Sequence, residues 1–205
     1  METVTKTAAR LKPFMASTAI EVVIASRLTT ENKITLYNFA TTGLTYFEKD
    51  SSGFDLASAT AVSGDVILLP ACTIDGDHTL TAGVAYVGLD REMSILSGQI
   101  TLENDTTLDN LTIILTGTDT NVKGVIGQIS GEARIYDCNI SATATSGNAS
   151  AVYTNSDGDI KIYSSNLSGV SDSGIGVAIE LDGFTGDVYQ YHGTAHGSSG
   201  MYSYS

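Results

Sequence analysis

The chain has 205 residues, enough for one domain with an appendage and a buried core, and its 21 Gly, two Pro and absent Trp are typical of many tight turns. Residues 1–50 hold six basic and five acidic side chains, whereas residues 51–205 hold four and eighteen. A surface this acidic repels phosphate backbones, so nucleic acid binding is not expected. No segment has the roughly 18 consecutive apolar residues of a membrane-spanning helix, so membrane insertion is not expected.

The first fifty residues differ in character from the rest of the chain. Thr3–Lys12 is predicted as a short helix that ends before Pro13. Ile34–Phe39 and Leu44–Glu48 are predicted as strands. We interpret residues 1–50 as an N-terminal attachment segment that packs on another protein, and residues 51–205 as the main domain.

A short helix is predicted at the start of the main domain. Asp55–Val62 contains good helix formers, and Asp55 is a suitable N-cap. Strands follow, beginning with Ser63–Ala71 after a Gly-Asp turn. A helix in this place would cover the open apolar end of a stack of strands.

The most informative feature is an internal repeat with a period of 27 residues. The aligned segments share aliphatic residues at their first and last positions and a polar residue at the third; they are Leu108–Ile113, Ile135–Ile140, Ile162–Leu167 and a weaker copy, Gln190–Ala195, which follows after 28. The period is too short for a βαβ unit and lacks the periodicity of helical repeats. It suits one turn of a β-solenoid.

Stacking such turns places equivalent residues above one another at the strand spacing of about 4.8 Å. The first positions of the repeats are then predicted to form one interior column and the last positions another. The polar third positions, Asn110, Asp137 and Ser164, are predicted to lie in a bend, where their side chains satisfy freed backbone groups.

Several runs also resemble a known family. The runs "FDLASATAVSGDVILLPACTIDG", "LTAGVAYVGLDREMSILSGQITLEN" and "TTLDNLTI" are similar to the opening of the pectate-lyase-like parallel β-helix superfamily, with Cys72 in place of its usual Gly. The resemblance, over about Phe54–Leu167, implies an all-β, right-handed parallel β-helix. It does not imply one function, because the superfamily includes lyases, esterases, hydrolases, phage tailspikes and adhesins.

Chemistry-bearing residues outside this framework are few. The two Asp-Gly-Asp triplets at Asp75–Asp77 and Asp157–Asp159 are interpreted as turns, because each offers too few oxygens for calcium. Arg134 and Lys161 are 27 residues apart and should stack as a solvated charge column on the outer face. The two histidines near the C-terminus and the two cysteines lie outside metal-binding patterns. No catalytic residue, metal site or cofactor is predicted.

One surface feature suggests binding. Tyr136, Tyr163 and Tyr191 occupy the same repeat position, next to an inward-facing residue, so each should point outward. Three exposed tyrosines in a strip are predicted to contact sugar rings. The alternative is that they stack on one another and shield the sheet.

The lack of a predicted catalytic cluster and the predicted attachment segment favour a virion-associated structural protein. It would be a phage tail fibre or spike, or a capsid decoration protein, with surface glycans as a further ligand. The expected partners are other virion proteins, contacted through residues 1–50, copies of the same chain in a trimer, and a host glycan. The expected location is the virion, with the extracellular space or cell surface as the alternative. The competing functions are a polysaccharide-degrading lyase or hydrolase and a bacterial surface adhesin.

Overall fold

The computed structural model describes residues 45–47, 50–118, 121–183 and 185–204. The predicted helix at Thr3–Lys12 and the predicted strand at Ile34–Phe39 lie outside this part of the chain. One helix, α1 (Ser51–Thr60), and seventeen strands are present in it. The strands are β1 Thr45–Phe47, β2 Val66–Leu69, β3 Cys72–Asp75, β4 His78–Thr79, β5 Ala85–Gly88, β6 Ser94–Ser97, β7 Ile100–Leu102, β8 Thr107–Asp109, β9 Thr112–Gly117, β10 Asn121–Gly127, β11 Glu132–Tyr136, β12 Asn139–Ala144, β13 Asn148–Thr154, β14 Asp159–Ser171, β15 Gly176–Leu181, β16 Val188–Gly197 and β17 Gly200–Tyr204.

The strands coil into a parallel β-helix, as the repeat predicted. An eleven-stranded sheet runs β1-β2-β5-β8-β11-β14-β12-β9-β6-β3, with β16 paired to β14, and a six-stranded sheet runs β17-β15-β13-β10-β7-β4. All described pairings are parallel. Because β14 pairs with β11 through its first half and with β12 through its second, the larger sheet bends into two faces. We call these the first face (β2, β5, β8, β11 and the first halves of β14 and β16) and the second face (β3, β6, β9, β12 and the second halves).

The register of the strands follows the 27-residue repeat. Ile135 lies opposite Leu108 on one side and Ile162 on the other, and all three side chains are fully buried. The last positions of the repeats form a second buried column of Ile113, Ile140 and Leu167. The weaker fourth copy is also in register, because Gln190 pairs with Ile162 and Ala195 with Leu167. Both predicted interior columns are confirmed.

The bend between the first and second faces explains the polar third position of each repeat. Asn110, Asp137, Ser164 and His192 have φ angles of 54°, 47°, 50° and 49°. This left-handed region is disfavoured for β-branched residues, and among residues other than Gly it is adopted most often by Asn, Asp and His. The Asn110 side chain also donates a hydrogen bond to the Gly88 carbonyl at 2.7 Å, which satisfies a backbone acceptor in the preceding turn.

The predicted capping helix exists, but its bounds and its cap were predicted incorrectly. Helix α1 begins at Ser51 rather than Asp55, and its N-cap is Asp50, whose carboxylate accepts a hydrogen bond from the Gly53 N–H at 2.9 Å. The Asp55 carboxylate instead contacts Nδ1 of His78 at 2.9 Å. The helix ends before Val62 because the Val62 N–H donates to the Asp65 side chain.

Helix α1 packs on the first turn of the coil through Phe54. The Phe54 ring is fully buried and lies 4.6 Å from the His78 ring and 5.6 Å from the Tyr86 ring, measured between centroids. Strand β1 pairs with β2, so part of the predicted strand Leu44–Glu48 extends the larger sheet. In the described part of the chain, no helix is long and apolar enough to cross a membrane.

Candidate functional site

The three predicted tyrosines form a continuous column on the outside of the first face. Tyr136, Tyr163 and Tyr191 are in register on β11, β14 and β16. The ring centroids of neighbouring tyrosines are 4.8 Å apart in both pairs, and the ring planes differ by only 12° and 9°. We call these three residues the tyrosine column.

The rings of the tyrosine column stack on one another and do not lie flat on the sheet. Carbon atoms of packed groups approach to about 3.5 Å, so near-parallel rings whose centroids are 4.8 Å apart are stacked with a sideways offset. Neighbouring rings thus cover part of each face of Tyr163 and leave the offset part uncovered by another ring of the column.

A fourth tyrosine, which the sequence reasoning missed, extends this surface sideways. The Tyr189 ring lies 6.2 Å from the Tyr191 ring at an angle of 12°. Its hydroxyl donates a hydrogen bond to the Asp187 carboxylate at 2.9 Å, and this bond raises the pKa of Tyr189. The sequence did contain a signal for it, since residues two apart on a strand point to the same face.

An ion-paired group lies beside the column on the same face. The Glu132 carboxylate contacts both the Lys161 ammonium and the Arg134 guanidinium. The hydrogen bond to Lys161 is the main cause that lowers the pKa of Glu132, and the same bond raises the pKa of Lys161. Arg134 and Lys161 are in register, as the repeat predicted, and they share one acid.

Three of the four aspartates in the two Asp-Gly-Asp triplets accept hydrogen bonds from the protein itself. The Asp77 carboxylate accepts from the Gln99 N–H at 2.8 Å, and the Asp159 carboxylate accepts from the Asp187 N–H at 3.0 Å. The Asp157 carboxylate accepts from the Thr185 hydroxyl at 2.5 Å. Within the described ranges, no group of three or more His, Cys, Asp or Glu side chains is arranged to hold a metal ion.

A second polar group, also missed from the sequence, lies on the six-stranded sheet. The Lys123 ammonium lies 3.1 Å from the centroid of the Tyr153 ring, and the Tyr153 hydroxyl donates to Asp182 at 3.0 Å. Burial, together with this hydrogen bond, raises the pKa of Tyr153 to about 12. Because Lys123 covers the ring, this tyrosine offers less open surface than the tyrosine column.

The fold and this surface define the chain as a parallel β-helix protein with an aromatic column on one outer face. Comparisons with protein-family models, with curated proteins and with solved structures gave no match.

Proposed function

We propose that the protein is a structural β-helix of the virion, a tail fibre or spike or a capsid decoration protein, that contacts surface glycans through the tyrosine column and Tyr189. The observation that carries this proposal is the set of four near-parallel tyrosine rings on one rigid outer face. Aromatic rings with a polar end bind sugars well, because their apolar surface meets sugar C–H groups while their hydroxyls form hydrogen bonds.

The rigidity of the first face favours a binding role. Each tyrosine is held on a strand whose backbone is hydrogen-bonded in a parallel ladder, so little conformational entropy is lost when a ligand binds. Charged and polar side chains next to the rings, among them Glu132, Lys161 and Asp187, supply hydrogen-bonding groups for sugar hydroxyls.

A structural role is favoured over catalysis by the partners of the acidic side chains. Hydrolysis of a glycosidic bond uses a pair of carboxyl groups directed at the substrate. The Asp77, Asp157 and Asp159 carboxylates instead bond to backbone or hydroxyl groups of neighbouring turns. These bonds stabilise the turns of the coil.

The virion location is supported by the resemblance of the sequence to a β-helix superfamily that includes phage tailspikes, and by the predicted attachment segment, residues 1–50. It is tested apart from glycan binding. Antibodies raised against the chain should label intact particles, and the chain should sediment with them after washing in high salt. Secretion of the free chain into the medium, with none on particles, would contradict this part of the proposal.

Glycan binding is tested with a glycan array and with cells of the host. Replacing the central ring, Tyr163→Ala, should weaken binding by roughly five- to tenfold, because one ring is lost and two ring contacts are broken. Ile114→Ala is the control, since Ile114 is an exposed residue of β9 on the second face. Equal binding by both variants would show that the column only shields the sheet.

A further inference from the structure

Outward side chains of the first face form three columns that run along the coil. Residues two apart on a strand point to the same side of the sheet. Strands β11 and β14 each contribute an acid, a base and a tyrosine, which are Glu132, Arg134 and Tyr136 on β11 and Asp159, Lys161 and Tyr163 on β14. The two bases therefore lie between the acids and the tyrosine column.

The two bases are stacked directly on each other. Arg134 and Lys161 are in register on neighbouring parallel strands, which lie about 4.8 Å apart. Residues 51–205 hold four basic side chains, and this pair accounts for two of them. Like charges directly opposite each other destabilise a sheet, so the pair is favourable only where negative charge offsets the repulsion.

Glu132 offsets this repulsion in part, because one carboxylate serves both bases. One of its oxygens contacts the Arg134 guanidinium and the other contacts the Lys161 ammonium. A guanidinium has five N–H donors and an ammonium has three. The two side chains are 40% and 29% exposed, so donors that do not face Glu132 are open to a ligand beside the rings.

We propose that Arg134 and Lys161 bind a single anionic group of the glycan, a carboxylate, sulfate or phosphate, while its sugar ring contacts Tyr136 and Tyr163. This inference rests on the proposed glycan-binding function and specifies the class of sugar that is bound. The preferred ligand is an otherwise neutral glycan that carries one acidic substituent.

A bound anionic group would give each base its own acid. Two bases now share Glu132, and a second anion from the ligand makes the pairing two to two. Asp159 does not fill this role, because its carboxylate accepts a hydrogen bond from the Asp187 N–H and lies on the side of the bases away from the rings. A guanidinium can also bind a carboxylate or phosphate through two parallel N–H bonds, which adds geometric selectivity.

The charge of the rest of the coil limits the ligand to few anionic groups. Residues 51–205 hold eighteen acidic side chains against four basic ones. Asp159 lies beyond the bases on the same face, and Asp109 is in register with Tyr136 one turn away. A polyanion that extends past the two bases meets this negative field and is repelled. A single anionic group held at the bases is attracted at short range, within the screening length of about 10 Å at 0.1 M salt.

The test is a glycan array that presents the same oligosaccharides in neutral form, with one carboxylated sugar, and with one sulfate or phosphate, together with polygalacturonate as a polyanion. Arg134→Gln and Lys161→Gln each remove one base. Lys123→Gln is the matched control, because it removes the same charge from the six-stranded sheet, where Lys123 lies over the Tyr153 ring. Arg134→Lys keeps the charge and removes the planar fork. Circular dichroism checks that each variant is folded.

We expect singly acidic glycans to bind at least about fivefold more tightly than their neutral parents. Arg134→Gln and Lys161→Gln should each weaken binding of the acidic glycans by about five- to tenfold, with Arg134→Lys in between and Lys123→Gln changing it less than about twofold. Raising the salt from about 0.05 M to about 0.5 M should weaken binding of acidic glycans more than that of neutral ones. The substituent that responds identifies the group as carboxylate, sulfate or phosphate.

Three results would overturn this inference and leave the proposed function standing. They are equal binding of neutral and acidic glycans, tightest binding of polygalacturonate, and an equal loss of affinity in Lys123→Gln and Lys161→Gln, which would show an effect of overall charge. Binding of no glycan by the unaltered chain would refute both the inference and the proposed function.

Discussion

The interior of the coil is built from single aliphatic side chains stacked in columns. Ile135 is fully buried between Leu108 and Ile162, so each of its neighbours along the axis is another aliphatic residue. Such a column has no polar partner for a charged group, and repeats above and below cannot move apart without losing strand hydrogen bonds. The column therefore tolerates changes of shape better than a change of polarity.

Ile135→Asp should lower the free energy of unfolding by at least about 3 kcal/mol, because it places an unpaired carboxyl group in the core. The matched control is Ile114→Asp. Ile114 is 40% exposed, so a carboxylate introduced at this position would remain in water. Urea unfolding followed by circular dichroism measures both. Similar midpoints for the two variants would mean that Ile135 is not in the interior column.

The two cysteines differ in environment, which predicts different reactivity. Cys138 is fully buried, and burial raises the pKa of its thiol from 9.0 to about 12. Cys72 is half-buried, and its pKa is raised by burial and by the Asp50 charge. Cys138 thus behaves as a small hydrophobic residue, the role predicted for it from the sequence.

At pH 8 about one Cys138 thiol in ten thousand is ionised in the folded chain, so iodoacetamide should label Cys72 far faster than Cys138. The folded state favours the neutral Cys138 thiol. The contribution of this thiol to the free energy of unfolding is therefore complete below pH 9 and is lost as the pH rises towards 12. Mass spectrometry of timed reactions gives the two rates, with the urea-unfolded chain as control. Equal labelling in the folded chain would contradict the buried position of Cys138.

At the scale of elements, the Asp55 carboxylate contacts the coil and does not cap helix α1. Asp is a residue type that is common at the N-cap of a helix. The Asp55 side chain nevertheless contacts the buried His78 ring, 23 residues away. Asp50 therefore caps the helix, which gains a turn at its beginning. That longer helix carries Phe54, the residue that fills the apolar end of the coil.

Asp50→Ala should destabilise the fold by about 1 kcal/mol, because the Gly53 N–H loses its acceptor. Asp50→Asn is the matched control, since Asn is about as good an N-cap as Asp and removes only the charge. Thermal unfolding of the three proteins measures the difference. If Asp50→Asn is as unstable as Asp50→Ala, the effect is due to charge and the N-cap is not the cause.

At the scale of the whole molecule, the two ends of the coil are unequal. The β2 end is covered by β1 and α1, while β16 and β17 each pair with a single strand among the residues that the structure describes. An edge strand presents unpaired N–H and C=O groups, which favours pairing with another chain unless the edge is blunted. No Lys, Arg or Pro lies in β16 or β17 to blunt these edges.

Self-association as a trimer, expected from the sequence, stays a prediction, and the edges of β16 and β17 in the described residues offer one surface for it. Three chains of 21.4 kDa would give a particle of about 64 kDa. Mass photometry at nanomolar concentration, with light scattering at micromolar concentration, measures the assembly. A soluble species that stays at 21.4 kDa at both concentrations would refute self-association.

The repeat was enough to predict the coil and much of its register. In a solenoid each turn contacts mainly its neighbours, so a constant spacing of 27 residues translates directly into a constant position in space. Residues such as Ile135 and Ile162 could thus be placed in one column, and Tyr136 and Tyr163 on one outer face, without knowledge of any other contact.

Contacts between side chains of different elements were decided only by the tertiary structure. Asp55 bonds to His78 and not to its own helix, because the first turn of the coil places that ring beneath α1. The tyrosine rings stack on one another with an offset, because the strand spacing leaves no room for them to lie flat. Tyr189 joins the surface because it shares a strand with Tyr191. The spacing of the repeat determines which face of the coil a residue lies on. The contacts of its side chain depend on the side chains of the neighbouring turn and of α1.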